Sequence, residues 1–197
     1  MVNVNETELV RELREKTGAG IMDCRRALQG VSWNLEKAVD ELRKSGSAIA
    51  SKKSGRATNS GKIESYVHMG GKIGVLVEVN CETDFVARTE DFQQLAKDLA
   101  MQVAAANPQY VEREGIPAEA IERERAVHKD SVKGKPEAIV EKIVTGKMEK
   151  FYQESCLIDQ LFIKDDKKTI RQLLTEVIAK TGENIRIKRF SRFVLGE

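Results

Sequence analysis

The chain has 197 residues, 41% hydrophobic and 32% charged, and its 33 basic and 31 acidic side chains leave a net charge of +2. This is the composition of a soluble globular protein, long enough for one ordinary domain or two small unequal ones, and its near-neutral charge does not demand nucleic acid as a partner. No apolar run approaches the roughly 20 residues that span a bilayer, and MVNVNETELV lacks a basic n-region and an apolar h-region, so a cytosolic chain with no membrane partner is expected.

In chain order, ETELVRELREKT places Leu9, Val10 and Leu13 at helical spacing before Gly18, with Asn5 or Thr7 available as a cap. IMDCRRALQG sets Met22, Ala27 and Leu28 before Gly30, and NLEKAVDELRKSG sets Leu35, Ala38, Val39 and Leu42 before Gly46. Three such short helices are unstable alone in water and must pack on one another, with Trp33 as the anchor between the last two. Residues 43–62 then carry Arg43, Lys44, Lys52, Lys53, Arg56 and Lys62 with no acid, mixed with Ser, Ala and Gly, and read as a tether. The expected division is a three-helix domain over 1–45, a basic linker over 46–61 and a core over 62–197.

From residue 62 the period changes to two. KIESYVHM and KIGVLVEVNC alternate apolar and polar residues around Gly70-Gly71, which predicts a hairpin whose turn needs positive φ at both glycines. A helix is predicted from Thr89, with Glu90 and Asp91 at its positive end and Phe92, Leu95, Ala96, Leu99 and Val103 as its apolar stripe. Helices follow from Ala118, from Pro136 with an interruption near Gly146, and after Asp165-Asp166 up to Gly182. NIRIKRFSRFVLG closes the chain as a third strand whose apolar phase slips between Ile187 and Phe190, requiring a bulge or burial on both faces. The fold class is therefore α+β: a small three-helix domain beside a core in which a thin antiparallel three-stranded sheet packs with helices. So few strands leave edges to hide, which favours self-association.

Chemistry is sparse. Cys24, Cys81 and Cys156 are far apart, form no C-x-x-C pair and have only His68 and His128 to assist them, so they read as reduced core residues. GRATNSGKI misses the phosphate-loop spacing by one residue and has Ile63 where Ser or Thr must hold Mg²⁺. No G-x-G-x-x-G, G-x-S-x-G or H-E-x-x-H is present, and Asp165-Asp166 reads as acids at a helix head rather than a metal pair. No catalytic group, cofactor or metal is expected. The stretch NCETDFVAR raises a different question, because Phe85 stands between an acid and a turn. The ring is either a core residue at the mouth of the next helix or a probe aimed at a partner.

LVRELREKTGAGIMDCRRAL and VEVNCETDFVAR, followed in order by QLAKDLAMQVAA, FIKDDKKT and GENIRIKRFSRF, resemble the elongation factor Ts family over nearly the whole chain. The resemblance implies a guanine-nucleotide exchange factor, not an enzyme, that binds elongation factor Tu with GDP in protein synthesis, displaces Mg²⁺ and promotes exchange for GTP. It further implies an N-terminal module like a ubiquitin-associated domain. The segment said to approach the Tu nucleotide domain near its Mg²⁺ falls on Thr83, Asp84, Phe85 and Val86. The N-terminal contact positions fall on Arg14, Ile21, Met22 and Arg25, and a Y-x-H position falls on Tyr66 and His68. Ile21 replaces a common Met, Leu161 a common Pro, and Ser191 the Cys of one short type, which puts a covalent dimer in doubt. A short form with one hairpin unit is expected to pair with itself, giving two Tu and two Ts chains. A competing reading, an RNA-binding module using the basic tether and the Arg186–Arg192 strand, predicts steeply salt-dependent binding. A plain ubiquitin-like adaptor accounts only for residues 5–45.

Overall fold

A computed structural model describes residues 4–132, 134 and 136–197. Helices α1 (Val4–Thr17), α2 (Ile21–Gly30) and α3 (Leu35–Lys53) lead into strands β1 (Ser60–Val67) and β2 (Ile73–Cys81). A single turn, α4 (Asp84–Ala87), precedes the long α5 (Glu90–Ala106), and α6 (Ala118–Asp130) and α7 (Glu137–Ser155) follow. The short strands β3 (Leu161–Phe162) and β4 (Asp165–Thr169), helix α8 (Ile170–Thr181) and strand β5 (Ile185–Val194) complete the chain. The larger sheet has the order β1-β2-β5, and β3-β4 form a separate antiparallel pair. The α+β class expected from the sequence is the class observed.

Two compact units draw on stretches distant in sequence. One comprises residues up to 62 with 79–95 and 172–186; the other comprises 63–78, 96–171 and 187–197.

In the first unit, Leu13, Cys24, Leu28 and Ala38 are fully buried, and Leu9, Val10, Trp33, Val39 and Leu42 pack around them. The indole stands where expected, on the α2–α3 corner, which reverses so tightly that Ser32 and Trp33 both adopt positive φ. Asn34 then caps α3, its Oδ1 accepting the Lys37 N–H at 2.9 Å. Gly46 does not end that helix, as its position in the sequence suggested. It is buried inside α3, where an added Cβ would lie 3.5 Å from the Ala179 side chain of α8, so its smallness serves packing. Residues 46–53, expected to be tether, are therefore the last two turns of α3, and Lys53 Nζ donates to the carbonyl of Gly182.

The hairpin forms on Gly70 and Gly71, both at positive φ, with the His68 N–H donating to the Ile73 carbonyl at 2.9 Å. Its register turns Val75, Val77 and Val79 inward and leaves Ile63, Val67 and Leu76 outward. The apolar side of β1 is thus its exposed side, while Lys62, Glu64 and Tyr66 share the inner side with the valines. In β5 the burial phase slips at Lys188 and Arg189, both exposed; one extra residue there returns Phe190 and Val194 to the side of Ile187.

In the second unit, α7 runs without interruption through Gly146. Packing of Val144 and Met148 with Val132, Ile121 and Tyr152 outweighs the roughly 1 kcal/mol that a helical glycine costs. Asp165-Asp166 stand in β4, not at the head of α8: Asp165 accepts the Lys167 N–H at 3.2 Å and pairs with Lys168. Gln102, fully buried, donates to Gln160 Oε1 and to the Leu161 carbonyl, each at 3.1 Å, and accepts the Ile163 N–H at 2.9 Å. Arg113 grips Glu149 with two bonds and Asp159 with a third while its guanidinium lies 4.5 Å from the Tyr152 ring centre.

Candidate partner-binding site

Strand β2 ends at Cys81, whose buried thiol donates to the Thr83 carbonyl at 3.1 Å. Burial first, and then the nearby Glu183 charge, push that thiol's pKa upward, so it stays protonated. After Cys81 the chain turns at once into α4. Thr83 caps this turn, its Oγ accepting the Val86 N–H at 3.4 Å, and the Val86 side chain is buried as the anchor. Between the cap and the anchor the one-turn helix leaves two residues exposed, Asp84 and one large apolar side chain. That side chain is Phe85, with 82% of its surface exposed. Of the two readings of its ring, that exposure excludes the core residue.

The turn is braced from three directions within its own unit. Ser60, at the start of β1, donates to Asp84 Oδ1 at 2.8 Å. Glu183, in the α8–β5 connection, accepts the Thr83 N–H at 3.0 Å and the Thr83 hydroxyl at 2.7 Å. Glu82 accepts the Asn184 N–H at 2.7 Å and pairs with Arg56 at 3.4 Å. The first of these contacts contributes most to holding the Glu82 carboxyl below its ordinary pKa. Asn184 is itself buried and donates to the Ser54 and Arg56 carbonyls at 3.3 and 2.8 Å. None of Ser60, Glu82, Glu183 and Asn184 was singled out from the sequence. They are ordinary polar residues, and only the fold brings positions 54–60 and 183–184 to residues 82–84.

The other expected contact residues form two further groups. On the α1–α2 corner, in the same unit as Phe85, Ile21 and Met22 are 54% and 63% exposed, Arg14 is exposed and Arg25 half-buried. Two apolar side chains at the start of a helix whose buried face already carries Cys24, Ala27 and Leu28 present a small greasy patch between arginines. Tyr66 and His68 lie in the other unit, at the end of β1, where the tyrosine hydroxyl and His68 Nδ1 are hydrogen-bonded at 3.0 Å. No group of three or more His, Cys, Asp or Glu side chains converges as metal ligands among the described residues, and no helix among them is long and apolar enough to cross a membrane.

The family profile described as Elongation factor TS matches residues 8–197. Elongation factor Ts of Anaeromyxobacter dehalogenans (strain 2CP-1) is 60% identical over 192 residues, covering 96% of this chain and 88% of the relative. Elongation factor Ts of Thermotoga maritima is 56% identical over 190 residues, covering 96% of each chain. That of Syntrophomonas wolfei is 56% identical over 192 residues, covering 96% of this chain and 90% of the relative.

Proposed function

The chain belongs to the elongation factor Ts family of translation elongation factors, and from that premise we propose that it is a guanine-nucleotide exchange factor for elongation factor Tu that works by protein–protein binding in the cytosol. The observation that carries the reading is Phe85, a large apolar ring 82% exposed on a turn otherwise anchored by Val86 and held by ion-assisted hydrogen bonds. A free protein gains nothing from leaving that ring in water.

Exchange is a linkage problem. If the factor and GDP each bind Tu but weaken one another, the ternary complex is short-lived and the nucleotide leaves quickly. Each tenfold loss of nucleotide affinity needs about 1.4 kcal/mol of coupling, and burying one phenyl ring supplies about 1.5 to 3 kcal/mol. Phe85 entering the Tu nucleotide domain therefore accounts for one to two decades. Asp84 brings a carboxylate toward the charges that hold Mg²⁺, and displacement of the ion loosens the phosphates. Thr83 and Val86 shape and anchor the turn. Arg14, Ile21, Met22 and Arg25 grip a second surface of Tu and raise the effective concentration of the wedge, with Tyr66 and His68 as a further contact. The test is stopped-flow release of labelled GDP from purified Tu with and without this protein. Acceleration by several decades is the expected result, and an unchanged release rate overturns the reading.

The same proposal includes a homodimer and a two-Tu, two-Ts assembly. The outer side of the larger sheet supports it, since Ile63, Val67, Leu76 and Phe193 are 47% to 68% exposed, and a second copy of the same face is the self-complementary cover a two-fold axis provides. Ser191 on that strand provides no thiol, so the pairing is non-covalent. The double variant Leu76→Glu, Phe193→Glu should sediment as a monomer with unchanged circular dichroism while the unsubstituted protein sediments as a dimer. A monomeric unsubstituted protein at tens of micromolar removes the dimer from the proposal.

A further inference from the structure

We infer that Glu183 is a positioning residue for the Phe85 wedge, acting through Thr83, and this rests on the exchange reading above. Its two carboxylate oxygens divide the work, Oε2 accepting the Thr83 N–H at 3.0 Å and Oε1 the Thr83 hydroxyl at 2.7 Å. With the hydroxyl proton committed to Glu183, the lone pairs of Thr83 Oγ face the Val86 N–H, 3.4 Å away, and cap α4. A helix of four residues has no stability of its own, so the direction in which Phe85 projects depends on that cap and on the anchor that follows it.

Glu183 is well placed to set a direction because its own position is determined on both sides. The residue before it, Gly182, closes α8 with a bond to the Ile178 carbonyl at 2.9 Å, at a φ of +71°. The residue after it, Asn184, is buried, gives its N–H to Glu82 and its side chain to residues 54 and 56, and leads directly into β5. Residues 82–83 and 183–184 thus exchange bonds in both directions. This cross-brace lies at the base of a turn whose ring makes little contact with its own protein, so the direction of that ring is of little consequence for folding. Its consequence for binding is larger, because a wedge already aimed loses less conformational freedom on entering the partner.

The test compares stimulated GDP release from Tu for the unsubstituted protein, Glu183→Ala, Glu183→Gln, Phe85→Ala and the Glu183→Ala, Phe85→Ala pair, each titrated to saturation. Glu183→Ala is expected to lower the maximal rate about tenfold, equivalent to about 1.4 kcal/mol, with the half-saturating concentration within about twofold because the N-terminal grip is intact. Glu183→Gln should recover most of the rate, since its amide oxygen still accepts the Thr83 N–H and its amide nitrogen can donate to the hydroxyl oxygen. In the Phe85→Ala background the Glu183→Ala change should cost less than about twofold, as expected of residues acting as a unit. Amide hydrogen exchange at residues 84–87 of the free Glu183→Ala protein should accelerate. A full rate for Glu183→Ala alongside a slow Phe85→Ala overturns this inference and leaves the exchange reading standing. An equal loss in both backgrounds makes Glu183 merely structural and also overturns it. Failure of the unsubstituted protein to accelerate release overturns both.

Discussion

Phe85→Ala is expected to slow the GDP release from Tu that this protein stimulates by at least tenfold while moving the melting midpoint by no more than about 1 °C. The two halves follow from one number. At 82% exposure the ring contributes almost nothing to burial in the free protein, so its removal leaves no cavity and changes little of the folding equilibrium. In the complex the same ring would be covered, and the about 1.5 to 3 kcal/mol of its burial is available only there. An interaction made more fully when GDP has left Tu than while GDP is bound sets the coupling between nucleotide and factor, which is what the release rate reads. Val86→Ala is the matched control, because Val86 is buried beneath the turn. It should lower the melting midpoint and should affect release only through the wedge's looser footing. A large loss of stability for Phe85→Ala, with release unaffected, would return the ring to the core reading and sink the proposed mechanism.

Gly61→Ala is expected to lower the melting midpoint by roughly 5 to 15 °C, the largest stability effect foreseen for so small a change. Gly61 lies in β1 at a φ of +143°, and an added Cβ would stand 2.2 Å from the Val79 carbonyl oxygen and 2.7 Å from the Asn80 Cα. Both neighbours are backbone of the paired strand, so no side chain can swing aside. Relief requires either a backbone conformation that L-residues avoid or the parting of β1 from β2, and strain of each kind costs about 1 to 3 kcal/mol. At about 2 to 4 °C per kcal/mol for a chain of this size, a strain of about 3 kcal/mol gives about 6 to 12 °C, inside the range stated. The neighbouring Ser60 holds Asp84, so the variant should also slow GDP release, and it should do so even at temperatures where it is fully folded. Differential scanning calorimetry beside the release assay checks both effects, and a midpoint within about 2 °C of the unsubstituted protein would show that the strand pairing yields more readily than the geometry indicates.

The same residue illustrates how far local patterns reach. In the sequence Gly61 drew notice only as the wrong end of a failed phosphate loop, yet its real constraint is a carbonyl eighteen positions away. In the sequence Gly46 stands where a helix stop is expected, because glycine usually is one, and Gly146 where a break is expected for the same reason. The first is kept inside α3 by the close approach of α8 and the second inside α7 by the packing of Val144 and Met148, both non-local terms that exceed glycine's propensity. Asp165-Asp166 suggest a helix head, but they open the five-residue β4 and three more of its residues precede α8, a strand too short and too charged to show a period of two.

What the sequence determined by itself is what depends on neighbours within one or two turns: the three N-terminal helices, the Gly70-Gly71 hairpin, the apolar stripe of α5, the phase slip of β5, and the family, which long ordered stretches carry together. The tertiary structure alone decided which side of β1 faces water, that residues 46–53 continue a helix, and that Ser60, Glu82, Glu183 and Asn184 gather about Thr83 and Asp84. Hydrogen bonds to side chains act over about 3 Å and take no account of separation along the chain, so a brace made by residues a hundred positions apart leaves no period, spacing or composition to read. The ring on the turn they brace was visible as an oddity, and its exposure became a fact only once the chain had folded around everything else.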